Sequence, residues 1–185
     1  MQNRCTWVSD YALMIAYHDQ EWGRPCYDDQ TLFELLSLET YQAGLSWRTV
    51  LHKRAAFRTV FANYDLATVA AFTAADVENL LTNTAIIRHR QKLMATVANA
   101  RAILAVQKQH GSFHEFLWSF VDGQPQDHQV TDYQALPSAN ALSTRLSKQL
   151  KQLGFKFVGP VTVYSFMQAA GLVNDHEITC DWHNG

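Results

Sequence analysis

The sequence predicts an all-α fold, and three observations carry that prediction. Apolar residues recur at helical spacing along nearly the whole chain, paired start and stop residues bracket the periodic segments, and no stretch alternates apolar and polar residues for long enough to build a sheet. In chain order, Thr31 to Gln42 places Leu32, Leu35, Leu36 and Leu38 on overlapping faces, as an amphipathic helix requires. Thr73-Ala-Ala-Asp76 and Ser112-Phe-His-Glu115 match the capping box, in which a hydroxyl and a carboxylate exchange hydrogen bonds with first-turn backbone. Between them one helix ends near Asn83, a tight turn follows, and another helix begins around Ile87 or Arg88 and continues through Asn99 to Gln109. That is a helix-hairpin-helix outline. Gly111, Gly154 and Gly171 stand where helical patterns close, and Pro160 after Gly159 suits a first turn. Phe155-Lys156-Phe157-Val158 is too short to carry a sheet, and Val121 to Pro137 reads as loop.

Composition narrows the class of protein. A chain of 185 residues that is 48% hydrophobic can bury the core of one domain, here expected over 1–185 as two helical lobes. Its four prolines and eight glycines form no linker, and three cysteines, an odd number, argue against a disulfide framework. The first residues carry no apolar signal region and no run reaches membrane-spanning length, so a cytoplasmic protein with no membrane partner is expected. A net charge of −2 supplies no general basic surface for nucleic acid, so any such contact is local. The densest basic cluster is Arg88-His89-Arg90-Gln91-Lys92.

Four metal-type residues lie at the two ends of the chain: Cys5 and His18, then His176 and Cys180. The second pair is spaced i, i+4, which on a helical turn puts both side chains on one face. Two thiolates and two imidazoles are a set that zinc accepts in tetrahedral geometry, and a clasp joining the termini with no open position would be structural. The alternative is coincidence among three cysteines and eight histidines, with the cysteines as ordinary buried thiols. Cys26 is the competing ligand, close in sequence to Cys5 and His18.

Glu39 is the most conspicuous single residue. It falls on the apolar stripe of Leu32, Leu35 and Leu36, where a carboxylate is costly unless paired. A partner Arg or Lys inside the fold, or a helix end that lets the side chain escape, would account for it. A binding role is the other reading, because Trp7, Tyr11, Tyr17, Trp22, Tyr41 and Trp47 crowd this half of the chain. Aromatic faces plus one carboxylate suit a flat, cationic ligand. At the hairpin, Arg88, His89, Arg90 and Lys92 crowd a helix N-terminus, whose dipole already disfavours cations. The placement is explained by an anion such as a DNA phosphate on the backbone N–H groups, or else by a solvated basic patch.

Several stretches together give the chain a resemblance along essentially its full length. These are Arg4-Cys5-x-Trp7-Val8, Ile15-Ala16-Tyr17-His18-Asp19-x-Glu21-Trp22-Gly23, Gln42-Ala43-Gly44-Leu45-Ser46-Trp47, Ile86-Ile87-Arg88-His89-Arg90, Phe116-Leu117-Trp118-Ser119-Phe120, Gly154-Phe155-Lys156-Phe157-Val158-Gly159 and Tyr164-Ser165-Phe166-Met167-Gln168-Ala169, running into Gly171-Leu172-Val173-Asn174-Asp175-His176. In that order they resemble the bacterial 3-methyladenine DNA glycosylase I family. The resemblance implies a helix-hairpin-helix glycosylase fold, a zinc held by Cys5, His18, His176 and Cys180, and excision of 3-methyladenine from alkylated DNA; the expected partner is double-stranded DNA and the expected state a monomer. It implies a base pocket of Glu39, Tyr17 and Trp47, with Trp7 and Trp22 helping to enclose it. A base is unreachable inside a duplex and must be flipped out. Gln42 and Leu45 are then the expected fillers of the gap, Leu45 as an apolar wedge.

The resemblance also frames what is absent. Between Arg88 and Val121 there is no Asp to activate water, and Glu115 reads as a capping partner, so a monofunctional enzyme without lyase chemistry is expected. Ala85 stands where the family usually has Gly, and in a left-handed backbone alanine would cost on the order of 1 kcal/mol. Met14 replaces a tyrosine at the pocket edge. Two other classes fit less well: a non-catalytic DNA-structure binder, which Ala85 would favour, and a zinc hydrolase, for which no His-Glu-x-x-His motif is present.

Overall fold

The computed structural model describes residues 2–184. Among them are nine α-helices: α1 (Ala12–Gln20), α2 (Asp29–Gln42), α3 (Trp47–Val60), α4 (Leu66–Ala70), α5 (Ala74–Thr82), α6 (Arg90–His110), α7 (Phe113–Trp118), α8 (Ala141–Gln152) and α9 (Pro160–Ala169). Their buried apolar side chains join into one continuous core. The 21-residue α6 packs against α2, α4, α5 and α7, while α2 also meets α9 and α3.

The helix starts follow their side chains. Asp28 caps the Thr31 N–H of α2, and Ser46 caps the Thr49 N–H of α3. Thr73 and Asp76 form the full capping box expected of them. At α7 only half a box forms. Ser112 caps the Glu115 N–H, but the Glu115 carboxylate returns to the Ser112 hydroxyl, and the Phe113 and His114 N–H groups donate instead to Asp29 on α2. Gly171, at φ +71°, closes α9 where it passes the backbone of Arg24 and Pro25, and a side chain there would strike both.

Three expectations need correction. First, the Val121 to Pro137 region is more than loop. Gln126–Asp127 pairs in parallel with Val173–Asn174, and a 3₁₀ turn covers Tyr133–Ala135. Two residues of pairing leave no periodicity to read. Second, the second helix of the hairpin begins at Arg90, with His89 as its N-cap, rather than at Ile87 or Arg88. Third, Ala85 is not among the residues at positive φ, so alanine costs nothing there. A further helix–turn–helix unit, α8–α9, lies beside the first. Asn99 of α6 clamps its turn by bonding both the N–H and the carbonyl of Lys156.

Candidate active site and metal centre

The leucines of α2 fix which way Glu39 points. With Leu32, Leu36 and Leu38 wholly buried, Glu39 is carried inward and is only 6% exposed. No cation meets it. One carboxyl oxygen, Oε2, has no hydrogen-bond partner, and burial pushes the acid up to about 8. Burial without a cation therefore favours the neutral acid at Glu39.

Around it lies a cavity of about 260 Å³. Tyr17 enters from α1 and Trp47 from the start of α3, their rings 5.1 Å apart. Trp7 and Trp22 meet edge to face at 5.0 Å on the other side. Gln42, at the end of α2, and Met14 complete the part the sequence anticipated. Burial, and next the Glu39 carboxyl, hold the Tyr17 phenol well above its ordinary value.

Four buried polar atoms on residues that line this cavity have no partner among the described residues: Glu39 Oε2, the Tyr17 hydroxyl, and the indole nitrogens of Trp7 and Trp47. Buried polar groups are nearly always satisfied, so orphans converging on one aromatic-walled space mark a ligand with hydrogen-bonding edges. Flat walls select a flat ligand, and a carboxyl that can ionise favours a positive one.

Tyr133, Ser165 and Gln168 also line the cavity and were not singled out. Gln168 donates to the buried Asp175, which also accepts from the Tyr164 hydroxyl and meets His128 Nδ1 at 2.6 Å. Ser165 and Gln168 lie within one of the quoted stretches, which gave no role to either; Tyr133 comes from the supposed loop.

Directly behind the wall, Cys5, His18, His176 and Cys180 converge, all buried, with one donor atom from each lying within 4.8 Å of the others. The geometry that unites the last pair differs from the expectation. Residues 176–180 are not helical; Glu177 makes a bridge to Val130, and a turn closed by Cys180 N–H on the Glu177 carbonyl swings Cys180 back. The donor set fits a metal ion. His18 Nδ1 is engaged by Asp19 at 2.8 Å and His176 Nδ1 by Asn174 at 3.0 Å, leaving each Nε2 for the centre. His176 Nε2 is a buried orphan, and His18 Nε2 lies 3.5 Å from Cys180 Sγ. Burial lowers His176 to about 4, so it is the neutral imidazole that a metal requires. Cys26 lies outside the cluster, near the Asp28 carbonyl. The cluster and the pocket share a wall, for Trp22 lies 4.6 Å from the His176 ring and Trp7 5.5 Å from that of His18.

The hairpin cations divide. Arg88 and His89 are exposed, though the His89 ring accepts from the Lys92 N–H and so occupies one first-turn amide. Arg90 is exposed but pairs with Glu78. Lys92 departs from the expectation of a phosphate contact: it is buried, and its Nζ donates to the carbonyls of Tyr41 and Ala43 at 3.1 and 2.6 Å. Leu45 sits exposed on the turn between α2 and α3, three residues after Gln42, which lines the cavity.

The methyladenine glycosylase family model matches residues 7–184. The chain belongs to the methyladenine glycosylase family. It is 50% identical over 182 residues to DNA-3-methyladenine glycosylase 1 of Escherichia coli (strain K12), covering 98% of this chain and 97% of that one. It is similar to a crystal structure of 3-methyladenine DNA glycosylase I, with a TM-score of 0.94 at 53% identity over 97% of this chain and 99% of that chain. A second solved relative, a tyrosine-to-phenylalanine variant of 3-methyladenine DNA glycosylase I in complex with 3-methyladenine, superposes with a TM-score of 0.93 at 43% identity over 96% of each chain. Family membership accounts for the ordered motifs along the sequence. Among the described residues no helix is long and apolar enough to cross a membrane.

Proposed function

We propose that this chain is a monofunctional DNA glycosylase that hydrolyses the N-glycosidic bond of 3-methyladenine in alkylated double-stranded DNA. The convergence of four unpartnered polar atoms on an aromatic cavity, with an unpaired buried carboxyl among them, carries the reading. The lesion nucleotide leaves the stack, with Leu45 and Gln42 filling the gap, and its base enters between the rings. In DNA, 3-methyladenine is cationic. Its charge favours ionisation of Glu39, which passes its proton to solvent, and Glu39 and Tyr17 then bond the base edge while Trp47 stacks and Trp7 and Trp22 close the wall. Neutral adenine gains none of the charge interaction. The base leaves neutral, so no general acid has to protonate it. No lysine lines the cavity among the described residues, in keeping with hydrolysis without a Schiff base.

In this reading the four-ligand centre holds Zn²⁺ through Cys5, His18, His176 and Cys180. A bound zinc there is structural, tying the termini together and fixing the wall that Trp7 and Trp22 share. The fold is a helix-hairpin-helix glycosylase domain of two helical lobes with the pocket between them, working as a monomer in the bacterial cytoplasm, beside the nucleoid. Arg88 and His89, with Arg90, face the phosphates, near the second hairpin through the contact of His89 with Phe157. The rival of a binder without catalysis loses its one support, since Ala85 adopts an ordinary backbone conformation.

Methylated duplex DNA incubated with the protein, followed by chromatography of the released bases, tests the assignment. Release of 3-methyladenine is expected. Duplex binding without base release would replace the enzyme by the binder.

A further inference from the structure

Two lysines outside the pocket link the same two turns in opposite directions. Lys92, in the first turn of α6, reaches the carbonyls of Tyr41 and Ala43, which end α2 and open the turn that carries Leu45. Lys53, on α3, reaches back to the carbonyls of Thr84 and Ala85, in the turn that precedes α6, at 3.2 and 3.0 Å. The α2–α3 turn, α3, Lys53, the α5–α6 turn, the start of α6 and Lys92 thus form a closed ring. Lys92 meets carbonyls at the C-terminal end of α2, where the helix dipole favours an ammonium, while Lys53 meets two carbonyls of the α5–α6 turn. The hairpin turn is pinned on its own side by the Ala85 N–H on Asn83 and by buried Ile86. The α2–α3 turn, by contrast, is exposed from Ala43 to Ser46 and contains Gly44 at φ +82°. Its own bonds are the Leu45 N–H on the Gln42 carbonyl at 2.7 Å and the Ser46 cap of α3.

We propose that Lys92 and Lys53 are positioning residues that lock the α2–α3 turn to the DNA-facing hairpin, so that Leu45 and Gln42 enter the duplex at a fixed height relative to the phosphates. This rests on the base-flipping reading above and adds to it which residues aim the wedge. Neither lysine touches the base. Their loss loosens insertion while the pocket stays intact, and a misplaced reacting group costs on the order of 100-fold per ångström.

The test compares Lys92→Met and Lys53→Met with the parent protein, with Lys92→Arg as the variant that keeps the cation. Three measurements are made: amide hydrogen exchange over residues 43–46, binding of free 3-methyladenine, and single-turnover excision from duplex against single-stranded methylated DNA. Lys92→Met is expected to accelerate exchange at 43–46 and to cut duplex excision on the order of 10- to 100-fold, with single-stranded excision and free-base binding retained. Lys53→Met is expected to move the same measurements less, and Lys92→Arg to restore part of the loss. Should Lys92→Met not fold, Lys53→Met and Lys92→Arg decide by the same comparisons. Unchanged exchange at 43–46, or equal losses on duplex and single strand, would overturn the proposal. If the parent releases no 3-methyladenine, the glycosylase reading fails on its own and the exchange data still judge the ring.

Discussion

Glu34 and Glu39 lie five residues apart on the same helix and are each 6% exposed, yet their surroundings make them opposites. Glu34 accepts from Arg54 at 2.8 and 3.1 Å and from Arg58 at 2.6 and 2.9 Å. Burial would raise its pKa, but the two guanidiniums outweigh it and hold the group below the ordinary carboxylate range. Glu39 meets no cation among the described residues and is raised to about 8 by burial. Depth alone therefore does not distinguish a structural carboxylate from a candidate functional one. The missing partner does.

Substitution separates the two most sharply. Glu39→Gln keeps shape and one acceptor but removes the charge, and is expected to lower single-turnover excision about 10²- to 10³-fold with stability retained or improved. Glu34→Gln leaves Arg54 with Glu21 as its remaining carboxylate partner and is expected to cost about 1.5–3 kcal/mol of stability, with activity falling only as the protein unfolds. Melting temperature and excision measured on the same preparations decide; reversed effects would exchange the roles of the two residues.

What could be read in the sequence divides along the same line. Glu39 was legible because a charge on an apolar stripe breaks a periodic pattern, and the metal quartet because its donor types are few. Glu34's ion pair was not, since Arg54 and Arg58 stand one turn apart on another helix and only packing matches them to α2. Tyr133 and Gln168 reach the pocket through the pairing of Gln126–Asp127 with Val173–Asn174 and through Asp175, both tertiary events. Lys92 looked like part of a basic patch because its partners are backbone carbonyls, which carry no residue signature. The helical turn imagined for His176 and Cys180 was wrong, although the ligands it joined do come together.

The candidate metal centre extends the comparison to a second cluster of buried polar groups. One zinc per chain is expected by elemental analysis, and chelation or His18→Ala should lower the melting temperature by roughly 10 °C, as for a clip that closes a long loop. A well-folded, metal-free protein with unchanged melting would remove the clasp.

A weaker effect is the pH dependence of stability, which the two carboxylates drive in opposite directions. Glu39 has its folded pKa raised from 4.5 to about 8, so its contribution is complete below 4.5 and is lost as pH rises through 8. Glu34 is lowered, so its contribution is present above the ordinary carboxylate value and is lost as pH falls through its depressed one. Denaturant unfolding across pH should therefore show Glu39→Gln flattening the decline between about pH 5 and 8, and Glu34→Gln flattening the acid limb. Smallest of all is Arg88→Ala, expected to weaken duplex binding across sequences and reduce the salt slope by about one. An unchanged slope would place the phosphate contacts elsewhere.

The protonation of Glu39 in the free protein underlies the whole account, and carbon NMR of the glutamate side-chain carboxyls, titrated with pH, observes it directly. Glu34 serves as the internal reference within the same helix. The account predicts a Glu39 midpoint near 8 that falls when a purine with a fixed positive charge is added, while Glu34 stays ionised to below the ordinary carboxylate range in both samples. A Glu39 midpoint below about 5 in the free protein, unmoved by the cationic base, would contradict it.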